Sequence, residues 1–213
     1  ATMREKLNIT LGLHDRKVNL KDTKSILLDL DSKEALTKVF EELQPQLVIH
    51  AAGLTNIEAC EANPPLAKYI NVDLTKNLVM ACANLNIPMV YLSTDHLFSG
   101  NESLIDEDFP VSPLNVYAKT KVEAEACVQN TYPEALIIRT NFYAWGTSYR
   151  KSFSDYIIQS LRSKQIVSLF DNVYYTPILA ENLVKTVHEL LGKNVNGIFN
   201  IGSDDKISKY EFG

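Results

Sequence analysis

Glycine is scarce early in this sequence: Gly12 is the only one before Gly53, so no glycine-rich phosphate-binding turn opens the chain. Cysteine is scarcer still. Cys60, Cys82 and Cys127 are odd in number and never spaced Cys-x-x-Cys, which speaks against a disulfide framework or zinc knuckle and suits reduced thiols in a cytoplasmic protein. The histidines His14, His50, His96 and His188 form no His-Glu-x-x-His or other short ligand spacing, so no metal is expected. No apolar run approaches the roughly 20 residues that cross a bilayer, and no signal-peptide pattern stands at the start, so no membrane partner is expected. Basic charge is not in excess either: 21 Lys and Arg stand against 26 Asp and Glu, a formal net charge of −5. That leaves no electrostatic footprint for nucleic acid.

What is present is a soluble-protein composition, 46% hydrophobic and 22% charged over 213 residues, enough for one domain or a domain with a small lobe. Short apolar runs recur: Ile26-Leu27-Leu28, Leu47-Val48-Ile49, Met89-Val90-Tyr91-Leu92 and Ala135-Leu136-Ile137-Ile138. They are continuous rather than alternating, as parallel strands covered on both faces are. Between them lie helical patterns, one from Ser32 to Leu43 and one opening at Asn63-Pro64-Pro65 with Leu66, Ile70, Leu74, Leu78, Cys82 and Leu85 on one stripe. The rhythm predicts an α/β fold with a Rossmann-type, doubly wound parallel sheet.

After Arg139 the texture changes. The aromatic and polar stretch Asn141-Phe142-Tyr143-Ala144-Trp145-Gly146 leads to an expected helix with Phe153, Ile157, Ile158 and Leu161, a strand at Ile166–Phe170, and a helix from Ile178 to Leu191. We expect residues 1–140 to form the nucleotide-binding part and residues 141–213 mainly a small C-terminal substrate-binding lobe, interleaved with the sheet. Ligands of open α/β folds sit outside the carboxyl ends of the strands, so Thr94, Asn141 and the lobe should face one cleft.

Ser93-Thr94-Asp95 ends one apolar run, and Tyr117-Ala118-Lys119-Thr120-Lys121 follows on an expected helix, with Tyr117 and Lys121 one turn apart on the same face. Such a hydroxyl, phenol and ammonium can pass a proton to a carbonyl oxygen while a cofactor delivers hydride to its carbon. A lone Tyr-x-x-x-Lys arises easily by chance, its other reading being an exposed helix face with a snorkelling lysine. The order strand, Ser-Thr-Asp, loop with Pro110 and Pro113, helix favours the chemical reading. A phenol of pKa about 10 needs lowering by about 3 units, roughly 4 kcal/mol, to exchange protons readily near neutrality. A neighbouring ammonium has the right sign for that.

A series of ordered blocks carries a family resemblance: Leu47-Val48-Ile49-His50-Ala51-Ala52-Gly53, Asn71-Val72 leading to Asn77-Leu78, Ser93-Thr94-Asp95 with Phe98 and Gly100, Ser112-Pro113-Leu114-Asn115-Val116-Tyr117, and Arg139-Thr140. From about Asp29 to Phe212 the chain resembles the extended short-chain dehydrogenase/reductase superfamily, in its dTDP-4-dehydrorhamnose reductase-like group. The resemblance implies Thr94, Tyr117 and Lys121 as catalytic residues. It implies cofactor contacts, to NADPH or NADH, from Asp29, Leu30, Ala51, Ala52, Gly53, Ser93, Tyr117 and Lys121. It implies contacts to a nucleoside-diphosphate sugar from Thr55, Thr94, Asp95, Asn141 and Phe142. Asp29 reads equally as a cap on the helix that follows, Asn71 as a tie from a helix to neighbouring backbone, and Arg139 as a buried structural partner.

Two departures from the family pattern matter. Its opening strand and Gly-x-x-Gly-x-x-Gly turn have no counterpart; Ala1–Leu7 reads as the remainder of a first helix, Asn8–Leu13 as a strand, and Ser208–Gly213 as a helix opening, which suggests a sequence trimmed at both ends. In the pocket, Asn141-Phe142 and Tyr174-Tyr175-Thr176-Pro177-Ile178 replace the Ser-Trp and Ser-Pro-Thr stretches of rhamnose-forming reductases, so a related sugar nucleotide is as compatible as the rhamnose precursor. The expected activity is NAD(P)-dependent reduction of a nucleoside-diphosphate 4-keto-sugar. A sugar-nucleotide epimerase or dehydratase, and a non-catalytic nucleotide-binding regulatory subunit of the methionine adenosyltransferase type, are the alternatives. Homodimers are common in this superfamily, and one is admitted here.

Overall fold

The architecture is that of a computed structural model, which describes residues 6–14, 18, 20–146 and 151–213. It begins with a parallel pair, β1 (Thr10–Leu13) and β2 (Lys24–Leu27). The turn after β2 leads into α1 (Lys33–Leu43), capped by Ser32, whose hydroxyl accepts from Ala35 N. β3 (Val48–His50) follows, then α2 (Ile57–Ala62), α3 (Pro64–Lys68) and α4 (Leu74–Asn84). Asn63 caps α3 and Pro64 stands at its first position, where a missing N–H costs nothing. β4 (Met89–Leu92), α5 (Val116–Thr131) and β5 (Leu136–Thr140) complete the first half.

α3 and α4 are one long helix interrupted by a π-turn at Tyr69–Asp73, where Leu74 N–H reaches back five residues to the Tyr69 carbonyl. The inserted residue rotates the helix face, so the expected stripe is broken. Leu66 is exposed while Ala67 is fully buried, and Asn71, Val72 and Thr75 turn inward.

The second half contributes β6 (Phe142–Tyr143), α6 (Phe153–Arg162), β7 (Tyr174–Tyr175), β8 (Ile178–Leu179), α7 (Ala180–Gly192), β9 (Gly197–Ile201), β10 (Ile207–Ser208) and α8 (Lys209–Phe212). Ser208 and Glu211 close a capping box on α8. β9 joins the main sheet, whose order is β3-β4-β5-β9, all parallel. One face packs Leu36, Phe40, Val79, Met89, Tyr91, Val128 and Ile137; the other packs Val90, Leu136, Ile138, Leu183 and Val187. Helices therefore cover both faces, as the continuous apolar runs required. The short parallel pair β6–β8 and the antiparallel pair β7–β10 form two small sheets apart from the main one.

Three expectations need correction. Ile166–Phe170 is not a strand: Ile166 is fully exposed and the segment has no ladder partner among the described residues, so β-branched composition alone does not make one. The helix expected from Ile178 starts at Ala180, because Ile178 and Leu179 pair with Phe142 and Tyr143. Of the helix remainder expected at the start, Ala1–Glu5 lie outside the described residues, and Lys6 and Leu7 are not helical. No helix among the described residues is long and apolar enough to cross a membrane.

Candidate active site

The carboxyl end of β4 sets the site. Ser93 N extends the ladder to the Ile138 carbonyl at 2.7 Å, and the chain then turns at Thr94, which caps a short 3₁₀ turn, Asp95–Leu97. The Thr94 hydroxyl accepts from His96 N at 3.2 Å and is thereby fixed in place. Helix α5 brings Tyr117 to it. Asn115 caps that helix by accepting from Ala118 N at 2.8 Å, and the Glu61 carboxylate accepts from Val116 N at 2.7 Å. The helix is locked to β5 by Arg139, whose guanidinium donates to both carboxylate oxygens of buried Glu125. Arg139 is thus the buried structural partner expected of it.

Tyr117 is half-buried. Burial pushes its phenol above the ordinary tyrosine value, the hydrogen-bonding Thr94 hydroxyl acts in the lowering direction, and nearby Asp95 raises it. This corrects the expectation of a phenol pulled down by lysine. Lys121, one turn on, is buried, and its amine is lowered to about 8 by desolvation, opposed by Glu125. Its ammonium donates to Tyr91 Oη at 2.6 Å and to the Leu92 carbonyl at 2.8 Å.

Asp95 and Asn141 also meet: Asn141 Nδ2 donates to both Asp95 oxygens, at 3.2 and 3.1 Å. The ring of His96 lies 3.8 Å from Asp95 Oδ1 by Nε2 and edge-on to Tyr117. From the lobe, Tyr175 faces the same carboxylate; its phenol is pushed up to about 12 by burial first and by Asp95 second. Lys209 Nζ sits 3.3 Å from the Tyr175 ring centroid and also feels Asp95. Phe142 is half-exposed on β6. Tyr175 belongs to the pocket stretch read from the sequence, whereas His96, Lys209 and Tyr91 were given no place in the site there. The available signal was a tyrosine and a histidine, Tyr91 and His50, inside otherwise apolar strands.

The other expected residues divide. Ala51, Ala52 and Gly53 form an exposed turn past β3, and Thr55 follows it. That turn is tied to α5 by Asn71: its Oδ1 accepts from Leu54 N at 2.7 Å, and its Nδ2 donates to the Leu54 carbonyl and to Thr120 Oγ1. A Cβ on Gly53 would lie 3.0 Å from Asn71 Oδ1, so only glycine lets the turn approach so closely. Asp29 and Leu30 follow β2. Asp29 does not cap α1, since Ser32 does; its carboxylate accepts from Asp31 N at 3.0 Å, and Asn77 Nδ2 donates to the Leu30 and Asp31 carbonyls. Ser93 Oγ is buried with no hydrogen-bond partner in the protein. An unsatisfied hydroxyl beside an exposed small-residue turn and a buried amine fits a dinucleotide's ribose and phosphate groups. No grouping of His, Cys, Asp and Glu among the described residues could hold a metal ion.

Residues 7–213 match the RmlD substrate binding domain family. The chain is 29% identical, over all its length and 72% of the relative's, to the probable low-salt glycan biosynthesis reductase Agl14 of Haloferax volcanii. It is 29% identical to the dTDP-4-dehydrorhamnose reductase of Salmonella typhimurium over 78% of this chain, spanning 58% of that protein. It is 25% identical to the methionine adenosyltransferase 2 subunit beta of Mus musculus over 95% of this chain, spanning 62% of that protein. The crystal structure of a dTDP-4-dehydrorhamnose reductase from Clostridium acetobutylicum matches with a TM-score of 0.81 and 29% identity, covering 90% of this chain and 70% of that one.

Proposed function

The chain belongs to the RmlD substrate binding domain family, and from that premise we propose that it is an NAD(P)H-dependent reductase of a nucleoside-diphosphate 4-keto-sugar. The observation that carries this reading is the placement of the Tyr117 phenol against the Thr94 hydroxyl at the end of β4, with Lys121 one helical turn behind. Two relatives named as reductases support it.

In this mechanism Asp29, Leu30, Ala51, Ala52, Gly53, Ser93, Tyr117 and Lys121 would hold the cofactor. When bound, the reduced nicotinamide supplies the hydride. The chain supplies the proton. A phenol held protonated by burial is suited to the reductive direction: Tyr117 gives its proton to the keto oxygen, because an alkoxide forming there is far more basic than a phenolate. Thr94 donates a hydrogen bond to the developing charge and aligns the carbonyl with Tyr117. Asp95, held by Asn141, and Phe142 face the sugar, with Thr55 at the other lip. Lys121 keeps positive charge beside the reacting atoms. These steps need no metal ligand.

The test follows nicotinamide absorbance with NADPH or NADH and a panel of nucleoside-diphosphate 4-keto-sugars. Tyr117→Phe is expected to lower kcat by about 10²-fold or more while cofactor binding persists. Sugar conversion without net nicotinamide oxidation would point to an epimerase. Nucleotide binding with no turnover on any sugar, unchanged in Tyr117→Phe, would replace the proposal with a regulatory role of the methionine adenosyltransferase type.

A further inference from the structure

Behind Lys121 lies a line of buried polar groups, Tyr91, Thr75, Asn71 and His50, to which the reaction above assigns nothing. Lys121 Nζ donates to Tyr91 Oη at 2.6 Å, a length typical of charge-assisted bonds. Tyr91 is in turn a hydrogen-bond partner of Thr75, whose Oγ1 donates to the Asn71 carbonyl at 2.8 Å. His50 Nε2 lies 2.9 Å from the same Thr75 oxygen. Tyr91 and His50 are register partners on adjacent strands, with rings 5.6 Å apart. All five residues are at least nine-tenths buried.

One assignment of protons satisfies every contact along this line. Thr75 has one hydroxyl hydrogen, and the Asn71 carbonyl takes it. Its oxygen must then accept, from Tyr91 and from a neutral His50 carrying its proton on Nε2. Tyr91 thereby spends its own hydrogen on Thr75, leaving its oxygen a pure acceptor for the ammonium. Both Asn71, within the π-turn, and Thr75, just past its end, are buried on this side of the helix.

We propose that Tyr91 is a positioning residue for Lys121, with Thr75 and His50 orienting its hydroxyl so that the lysine ammonium is held from the core side of the cleft. Two of the ammonium's three N–H groups are thus committed, to Tyr91 and to the Leu92 carbonyl, and one is left for the cleft. An unrestrained lysine would sample many rotamers and carry its charge into solvent. The cation–π contact of Lys121 over the Tyr91 ring, 4.1 Å to its centroid, adds to the same restraint. The titratable groups facing this amine are Glu125 from α5, Tyr91 from β4 and His50 from β3, with Tyr117 of α5 acting on Tyr91.

This inference deepens the reductase reading, so its test has an arm that does not depend on turnover. In protein labelled with [13C]lysine, the Cε resonance of Lys121, assigned by its loss in Lys121→Met, is titrated in wild type, Tyr91→Phe and Thr75→Val. Removing the acceptor oxygen is expected to lower the Lys121 midpoint by about half a unit or more in Tyr91→Phe. Thr75→Val should lower it less, and Thr75→Ser should restore it. In turnover, Tyr91→Phe is expected to lower kcat about tenfold with KM for the keto-sugar within about twofold, the pH profile moving with the Lys121 midpoint. A Lys121 midpoint unchanged in both Tyr91→Phe and Thr75→Val would overturn the proposal. A wild-type protein without turnover would end the reductase reading alone, because the resonance arm still decides whether Tyr91 holds Lys121. Thr75→Val, an isosteric change two bonds removed from the amine, decides the matter if Tyr91→Phe does not fold.

Discussion

The guanidinium of Arg139 forks onto the carboxylate of Glu125, three N–H···O contacts between 2.8 and 3.1 Å with both groups buried. This pair is the bolt between β5 and α5, and so between the sheet and the helix that carries Tyr117 and Lys121. Breaking it from one side leaves a buried unpaired charge. Arg139→Met is expected to lower unfolding free energy by about 3–5 kcal/mol, and Arg139→Met with Glu125→Leu to recover much of that loss. Urea denaturation of the two variants checks it.

Asn71 is a second bolt, between the Gly53–Leu54 turn and Thr120 on α5. Asn71→Leu removes three hydrogen bonds and leaves the partly buried Leu54 N–H without its acceptor, so a loss of about 1–3 kcal/mol is expected. Gly53→Ala should loosen the same clamp by crowding Asn71 Oδ1. Both variants should weaken dinucleotide binding, read by quenching or calorimetry with NADPH.

His50 gives the fold an acid-labile element. Burial first and Lys121 second lower its folded pKa to about 3, against 6.5 unfolded. Below pH 6.5 the unfolded chain therefore takes up the proton first, and stability falls as pH falls toward 3. By pH 4.5 this group should cost about 2–3 kcal/mol. His50→Gln is expected to lack that share of the pH slope in urea titrations at pH 7 and 4.5.

Lys121 works at the other end of the scale. Its folded value of about 8 lies below the 10.5 of the unfolded chain, so the unfolded state binds more protons between those values. Stability should rise with pH from about 8 to 10, and Lys121→Met should lack that slope. Tm measured across that window distinguishes the two.

Thr94 combines a turn and a donor. Thr94→Ser keeps both and should retain most activity. Thr94→Val loses the hydroxyl that accepts from His96 N and faces Tyr117, and kcat is expected to fall about 10²–10³-fold with a stability cost near 1 kcal/mol. Steady-state kinetics with circular dichroism melts separates the two effects.

The α/β alternation was legible in the chain because it is written in local terms. Continuous apolar runs became β3, β4 and β5, and the caps at Ser32 and Asn63 stand where helices begin. The spacing of Tyr117 and Lys121 was also local, since one helical turn fixes which residues share a face. What tertiary structure alone decided is where polar atoms find partners. Nothing near Lys121 in sequence says that its ammonium turns to Tyr91, because that choice depends on β4 lying under α5 and on a π-turn presenting Thr75. Nor does the composition of Ile166–Phe170 reveal that it pairs with no strand among the described residues. Period and capping act between neighbours in the chain, whereas ladder pairing and the satisfaction of buried donors act across it.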